Sequence, residues 1–511
     1  MDENSRRIAK NTAFLYFRML FLMAISLFTS RVLLHALGVE DFGINSVVGG
    51  FVVMFAFINR SMSGVTQRFL TYELGRKNEE KLNKVFNTTL AIHIGLGLLM
   101  ILFAETFGLW FLYNKMVIPP ERFSAALWVF HTCVIIIALG ISYVPFNALI
   151  ISHERMNVFA WISILEGIIK ITIAYCIYLT KSDKLIFYSI LMLASQILIV
   201  FIYIGYSKSH FAETKISVPT NNSIFKEILG FFGWNFYGTM GSVITNQGIN
   251  VLLNLFFGVV VNAARGIAVQ VEGAVLAFAE NVQTAINPQI TKSYAKEELQ
   301  TMHRLIFFNC KITFFVMFVL STPIWIEADT ILHLWLGKYP DYTVPFLRLL
   351  LIAIMIDVIG KPFVTSINAT GKVKLFYMIT GSILLLVLPI TYFAVKFTQN
   401  PCTAFWCMIV MQICIFFCRL FLSKPLIKLN MTQAFYVFVK LLLVSFLCIS
   451  IILWLKSYLI TSSIASLFIV AISGVILTSF LMYFIVLSSS ERQSIKNIIF
   501  KKLYFNKIIS Q

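Results

Sequence analysis

Apolar runs of about twenty residues, separated by short polar breaks, recur along the chain from Asn11 to the tail, and each is roughly the length a helix needs to cross a ~30 Å hydrocarbon layer. Fourteen runs begin near Asn11, Gly43, Val85, Phe123, Val158, Lys184, Phe225, Val259, Arg304, Val344, Val373, Cys402, Ala434 and Ile464. The runs are continuous instead of alternating, so the backbone groups of each must be satisfied within a helix and not in a barrel of strands. The pattern predicts an all-α membrane protein of about fourteen transmembrane helices.

Polar residues interrupt some of these runs before they leave the membrane. The second run, GGFVVMFAFINRSMSGVTQRF, carries Asn59, Arg60, Ser61 and Ser63. Inside the spans stand the basic residues Arg18, Arg31, Arg60, Lys170, Lys311, Arg348, Lys361 and Lys440. A charge near mid-bilayer costs at least ~2.5 to 3.5 kcal/mol, so it usually faces a partner or a water-filled cavity. Arg18 and Arg60 fall at similar depth from one side. Arg31, with His35 one turn on, lies near the other end of the first span, and Arg265 opens the eighth. Together they outline a cationic route suited to phosphate or carboxylate, which a planar guanidinium grips through two parallel donors. Snorkelling to headgroups is the plain alternative, above all for Arg31 and Arg265.

The seventh run carries an amide face of Asn235, Ser242, Asn246 and Asn250 at helical spacing, with four glycines from Gly233 to Gly248 that permit bending or close approach. Such amides match sugar hydroxyls, and they equally serve hydrogen bonds between helices. Two acid–base pairs, Glu166 with Lys170 and Asp357 with Lys361, have the i,i+4 spacing that stacks side chains on one face. With Glu272 and Glu280 of the eighth span they are candidates for ion coupling, static pairing being the alternative.

Composition sharpens the picture. Hydrophobic residues make up 59% of the chain and charged ones 13%, about half the charged share of a soluble domain. The net charge of +18 lies mainly in RRIAK, LGRKNEEKLNK, SKPLIKLN and the tail, all on one side of the predicted membrane. That asymmetry places both termini in the cytoplasm and gives no support to a nucleic-acid partner. The first span lacks a cleavage pattern and is expected to stay. The eight cysteines show no spacing for disulfides or metal, and no cofactor motif or catalytic loop is present.

An internal echo organises the chain. PFNALIISHERMNVFAWIS aligns without a gap to PFVTSINATGKVKLFYMIT, 217 residues later, and VLLHALG echoes VLLNLFFG at an offset of 219. Two echoes six spans apart predict two pseudo-symmetric six-helix halves in one orientation, with a cavity between them. The expected division is 1–210, 211–430, and 431–511 as two extra helices with a basic cytoplasmic tail.

The segments SRVLLHALGVEDFG, VNAARGIA, NPQITKSYA and LWLG, in a chain of fourteen spans with a basic amino terminus, resemble the Wzx-like polysaccharide (O-antigen) flippases. These belong to the exporter superfamily that includes the multidrug and toxin extrusion (MATE) transporters and the peptidoglycan precursor flippase. The resemblance implies a MATE-like fold in the bacterial inner membrane. It implies translocation of undecaprenyl diphosphate-linked oligosaccharide by alternating access, for surface polysaccharide or lipopolysaccharide synthesis. Membrane lipids and glycan-assembly proteins would be partners, no cofactor is implied, and a proton or sodium gradient is the candidate drive. In the peptidoglycan relative, arginines on spans one, two and eight face the cavity; Arg18 or Arg31, Arg60 and Arg265 lie on the matching spans. Multidrug relatives commonly place an aspartate in span one, and none stands between Asn11 and Leu37. The rival readings are an ion-coupled drug or metabolite antiporter of the same fold and a polytopic glycan polymerase or ligase, an enzyme for which the loops are short.

Overall fold

Every element among the described residues is helical; a computed structural model describes residues 3–53, 56–114, 118–217, 222–458, 463–489 and 491–493. In chain order the helices are α1 (Glu3–Val53), α2 (Ala56–Arg76), α3 (Glu79–Phe103), α4 (Leu109–Asn114), α5 (Phe123–Ser142), α6 (Val144–Ser152), α7 (Met156–Cys176) and α8 (Lys184–His210). They continue as α9 (Asn222–Ala295), α10 (Leu299–Ile326), α11 (Ala328–Leu336), α12 (Thr343–Thr370), α13 (Lys374–Thr398), α14 (Thr403–Ile427), α15 (Met431–Ser457) and α16 (Ser463–Leu481). Among the described residues ten helical stretches are long and apolar enough to cross a membrane, and they correspond to the predicted spans three to six and nine to fourteen. The four remaining predicted spans fall on α1, α2 and α9, where Asn11–Ile25 is a shorter apolar stretch among the described residues.

Gly38 and Gly258 mark how the spans within α1 and within α9 are joined. Gly38 has φ 80° and ψ 171°, and Gly258 has φ 78° and ψ −171°, a region essentially confined to glycine. Each glycine is a kink at which two helical arms meet, within α1 and within α9. These are the last residues of the echoed VLLHALG and VLLNLFFG. Left-handed residues recur in the same way at Lys77 and Glu297, and at Glu154 and Gly371. Glu154 and Gly371 are the tenth residues of the two Pro-Phe segments, so sequence echo and backbone echo coincide. The prolines themselves differ. Pro145 sits in the first turn of α6, after α5 has ended, where its missing N–H is harmless; Pro362 lies inside the unbroken α12.

Two units divide the chain: Ala13–Phe236, and Tyr237–Gln511 with Met1–Thr12. The first is built on α3, α5 and α8, with Phe130, Val129, Leu112, Ile141 and Leu185 fully buried among them. At one end Arg122, just before α5, donates to both carboxylate oxygens of Asp41 in α1, at 2.8 and 2.7 Å, and to Asp183 just before α8. Burial pushes the Asp183 carboxyl up, but Arg122 and the backbone N–H groups of Ile186 and Leu185 outweigh it and hold the acid below its usual range. At the other end the stretch after α8 is clasped by α3. Asn83 Nδ2 donates to the carbonyls of Glu213 and Lys215 at 2.8 Å, and Asn87 Nδ2 to that of Lys215 at 3.0 Å. His153 pairs with Glu213 at 2.5 Å and stacks on Phe211.

In the second unit α12 packs between α10 and α14 around buried Phe346, Phe405 and Leu347. The last two helices, α15 and α16, pack on α10. Lys311 of α10, 9% exposed, is neutralised by Glu491 beyond α16, at 2.8 and 3.0 Å. The same carboxylate accepts the Ser488 backbone N–H at 2.7 Å, in a capping box. Buried Glu327 at the end of α10 accepts from Lys456 of α15 at 2.9 Å and Ser466 of α16 at 2.7 Å.

A methyl at Gly38 or Gly258 would meet no atom within 4 Å, so alanine there carries a purely conformational cost. Gly38→Ala and Gly258→Ala should each lower the stability of the detergent-solubilised protein by about 1 to 3 kcal/mol. Gly64→Ala, on helical α2 with equal space, should leave the thermal midpoint unchanged or raise it.

Candidate functional site

Within the first unit the chemistry centres on Arg18. Its guanidinium lies over the ring of Phe159 on α7, 4.4 Å from the centroid, and its Nε is buried without a hydrogen-bond partner. Tyr203, Glu166 and Tyr143 are its electrostatic neighbours, and the two tyrosine rings stack at 4.9 Å. Glu166 is committed elsewhere: its carboxylate accepts from Lys170 at 2.6 Å, the i,i+4 pair expected from the spacing. Among the described residues Arg18 therefore has no salt bridge. A cation–π contact contributes about 2 kcal/mol when desolvated, whereas taking an ion out of water costs several. The aromatic seat orients the cation without compensating it. Arg31 and Arg60 belong to α1 and α2, but their side chains lie outside the described residues.

Within the second unit Arg265 is 6% exposed. Its Nη1 donates to Asn250 Oδ1 at 2.8 Å and its Nη2 to the Asn246 carbonyl at 3.0 Å, while Nε is buried and unpartnered. The kink at Gly258 brings these two arms of α9 side by side. The amide face is thereby divided: Asn246 and Asn250 meet Arg265, whereas Asn235 belongs to the first unit and makes its own contacts. The Asn246 side chain donates to the Ser242 carbonyl at 3.2 Å.

The glycines of the same stretch serve another face. Cβ atoms at Gly238 and Gly248 would come within 2.5 Å of Tyr377 and 2.4 Å of Leu388, and Gly241 stands against the Gly381 carbonyl. Thr245 adds a hydrogen bond to the Leu384 carbonyl at 2.6 Å. α9 and α13 thus pack backbone to backbone, a small-residue contact typical of membrane helices. Gly233 meets nothing within 4 Å. At 100° per residue the asparagines point roughly away from this contact.

The carboxylates of the second unit are arranged differently from the i,i+4 reading. Lys361 stands 3.9 Å from Asp357 and 3.4 Å from Glu280, loosely shared between them. The principal partner of Asp357 is Arg419 of α14, which donates from Nη2 to Oδ1 at 2.8 Å and from Nη1 to the Asp357 carbonyl at 2.9 Å. Arg419 lies 62 residues away, beyond the reach of local spacing, next to the basic run that ends α14. Glu272 is the exception: among the described residues it makes neither a hydrogen bond nor a salt bridge. Its electrostatic neighbours are Arg265, Asp357 and Lys361. No group of three or more His, Cys, Asp or Glu side chains that could hold a metal gathers among the described residues.

No family model matches the chain, and no curated protein matches it. Solved structures do. A structure described as the outward-facing conformation of a multidrug resistance MATE family transporter of the MOP superfamily is similar over 82% of this chain and 96% of its own, with a TM-score of 0.70 and 13% identity. A MATE in the straight conformation gives 0.72 over 83% and 96%, also at 13% identity. A MOP superfamily transporter from Pyrococcus furiosus, described as having a binding pocket of reverse polarity that suggests a different function, gives 0.68 over 82% and 96% at 11% identity. The chain has the MATE-like fold.

Breaking the Arg419–Asp357 contact leaves a carboxylate without its main partner inside the second unit. Arg419→Leu should destabilise the solubilised protein by about 3 kcal/mol, and Asp357→Asn combined with it should recover part of that loss. Equal thermal midpoints for Arg419→Leu and the unaltered protein would remove Arg419 as the holder of Asp357.

Proposed function

We propose that the chain is a flippase that carries a polyprenyl diphosphate-linked oligosaccharide across the bacterial inner membrane by alternating access, with both termini in the cytoplasm. The observation that carries this reading is the state of the buried arginines. Arg18 and Arg265 have no carboxylate partner among the described residues, and each keeps a buried Nε without an acceptor. A diphosphate supplies what neither has within hydrogen-bonding distance: anionic oxygens spaced for a guanidinium fork. Asn246 and Asn250 lie beside Arg265, where amides could meet sugar hydroxyls. The MATE-like fold supports transport rather than catalysis. In this reading Arg31 and Arg60 belong with Arg18 to the cationic route of the first unit.

Glu272 is the coupling group of the proposal. Asp357 is held by Arg419 and Glu166 by Lys170, so proton uptake there must first break an ion pair. Glu272 has no such obstacle, and protonating it would change the field at Arg265 during the cycle. The antiporter reading shares the fold, and the multidrug MATE neighbours favour it. A buried guanidinium without a paired carboxylate in each unit suits an anionic cargo better than a cationic drug.

In cells making a lipid-linked surface glycan, Arg18→Glu and Arg265→Glu should each reduce export at least tenfold while the protein remains in the membrane. Lipid-linked sugar should then accumulate on the cytoplasmic side. Export at the unaltered level, or drug sensitivity without glycan accumulation, would transfer the assignment to the antiporter. Glu272→Gln should make transport in reconstituted vesicles indifferent to an imposed pH gradient; an undiminished response excludes Glu272 as the coupling group.

A further inference from the structure

Between α10, α12, α14 and α15, within the second unit, lies a cavity of about 490 Å³. Its walls are apolar, with Phe314, Phe318, Met355, Phe416 and Leu441 among them. Lining residues Phe417, 50% exposed, and Leu442, 70% exposed, show that it opens on the flank that the hydropathy of these helices assigns to lipid. It is separate from Arg18, Arg265 and Glu272. Empty, such a space would forfeit contact on every wall.

The two ends differ. On α10 the lining runs from Phe314 to Trp325, roughly 16 Å at 1.5 Å per residue. That is the depth of one leaflet's hydrocarbon, about half of ~30 Å. One turn before Phe314, on the same face, Lys311 is fully paired with Glu491, so this end offers no available charge. The other end does. Lining residues Trp325 and Ser321 have a buried Nε1 and Oγ, respectively, without a hydrogen-bond partner. Arg348, one turn before Leu351 on the cavity face of α12, lies over the Trp325 ring at 5.5 Å. Its Nε donates to the Trp325 carbonyl at 3.0 Å, and its only carboxylate neighbour among the described residues, Asp329, is 3.6 Å away and 70% exposed. A hydrocarbon wall of leaflet depth, two orphaned polar groups at its head and a cation beyond them follow the order of an anionic phospholipid: acyl chain, ester, phosphate.

We infer that the cavity is a binding site for one acyl chain of an anionic membrane phospholipid, drawn from the leaflet that contains the α10–α11 turn, with its phosphate at Arg348 and its ester region at Trp325 and Ser321. The occupant is a bilayer lipid and not the tail of a polyprenyl carrier, because a chain of many isoprene units outruns a pocket of single-leaflet depth. Bound there, the lipid joins α15 to the helices of the second unit.

The test uses the full-length protein in nanodiscs containing phosphatidylglycerol with a photoactivatable diazirine near the end of its acyl chain. Illumination should label α10, α12, α14 or α15, most strongly near Phe314, Phe416 and Phe438. Labelling spread evenly over the exposed helices overturns the proposal. Arg348→Gln should reduce labelling about tenfold for phosphatidylglycerol and leave that by a phosphatidylcholine probe unchanged; an equal fall for both lipids, or none, removes Arg348 as the phosphate contact. Competition by polyprenyl phosphate at equimolar lipid would assign the cavity to the carrier tail and overturn the choice of occupant.

Discussion

Every charge placed inside this bundle has to be compensated, and the rest of the structure follows from how that is done. Taking an ion out of water costs several kcal/mol even after relaxation, a large fraction of the stability of a typical domain. Among the described residues three cations meet the demand by close pairing: Lys170 with Glu166, Lys311 with Glu491, Arg419 with Asp357. Lys440 uses a tyrosine ring, at 4.3 Å. Arg18 and Arg265 stand apart, seated by an aromatic ring and by amide groups that orient a guanidinium without neutralising it. The distinction separates cations that hold helices together from the two to which we assign the anionic cargo.

Much of the fold was legible in the sequence because lipid simplifies the code. Continuous apolar runs have one good solution, the helix, and the ten apolar stretches long enough to cross a membrane among the described residues coincide with predicted spans. The echo of VLLHALG in VLLNLFFG was a faint signal, yet it ended on two glycines that share one rare backbone state. The shared Pro-Phe has no single role, since a proline can open a helix as in α6 or ride inside one as in α12, and local sequence does not decide between them. The glycines of the seventh span likewise had two possible uses, and packing against α13 claimed three of them.

The site was less legible, for a physical reason. Spacing along one helix reveals partners three or four residues away, and it found Glu166 and Lys170. It could not find Arg419, whose partner lies on another helix, nor Glu491, which reaches back to α10 from beyond the last span. It paired Asp357 with Lys361, although a guanidinium that can hold both carbonyl and carboxylate is the better partner. Asn235 was grouped with Asn246 and Asn250 by periodicity, but α9 passes from one unit to the other between them.

The Lys311–Glu491 contact changes what counts as the edge of this protein. One carboxylate both starts the last described helical turn and neutralises a lysine enclosed by α10, so residues near the carboxyl end behave thermodynamically as interior ones. Trimming the chain upstream of position 491, a routine step when preparing membrane proteins, would amount to a mutation in the middle of the bundle. Shortening from the far end back to that carboxylate would spare it.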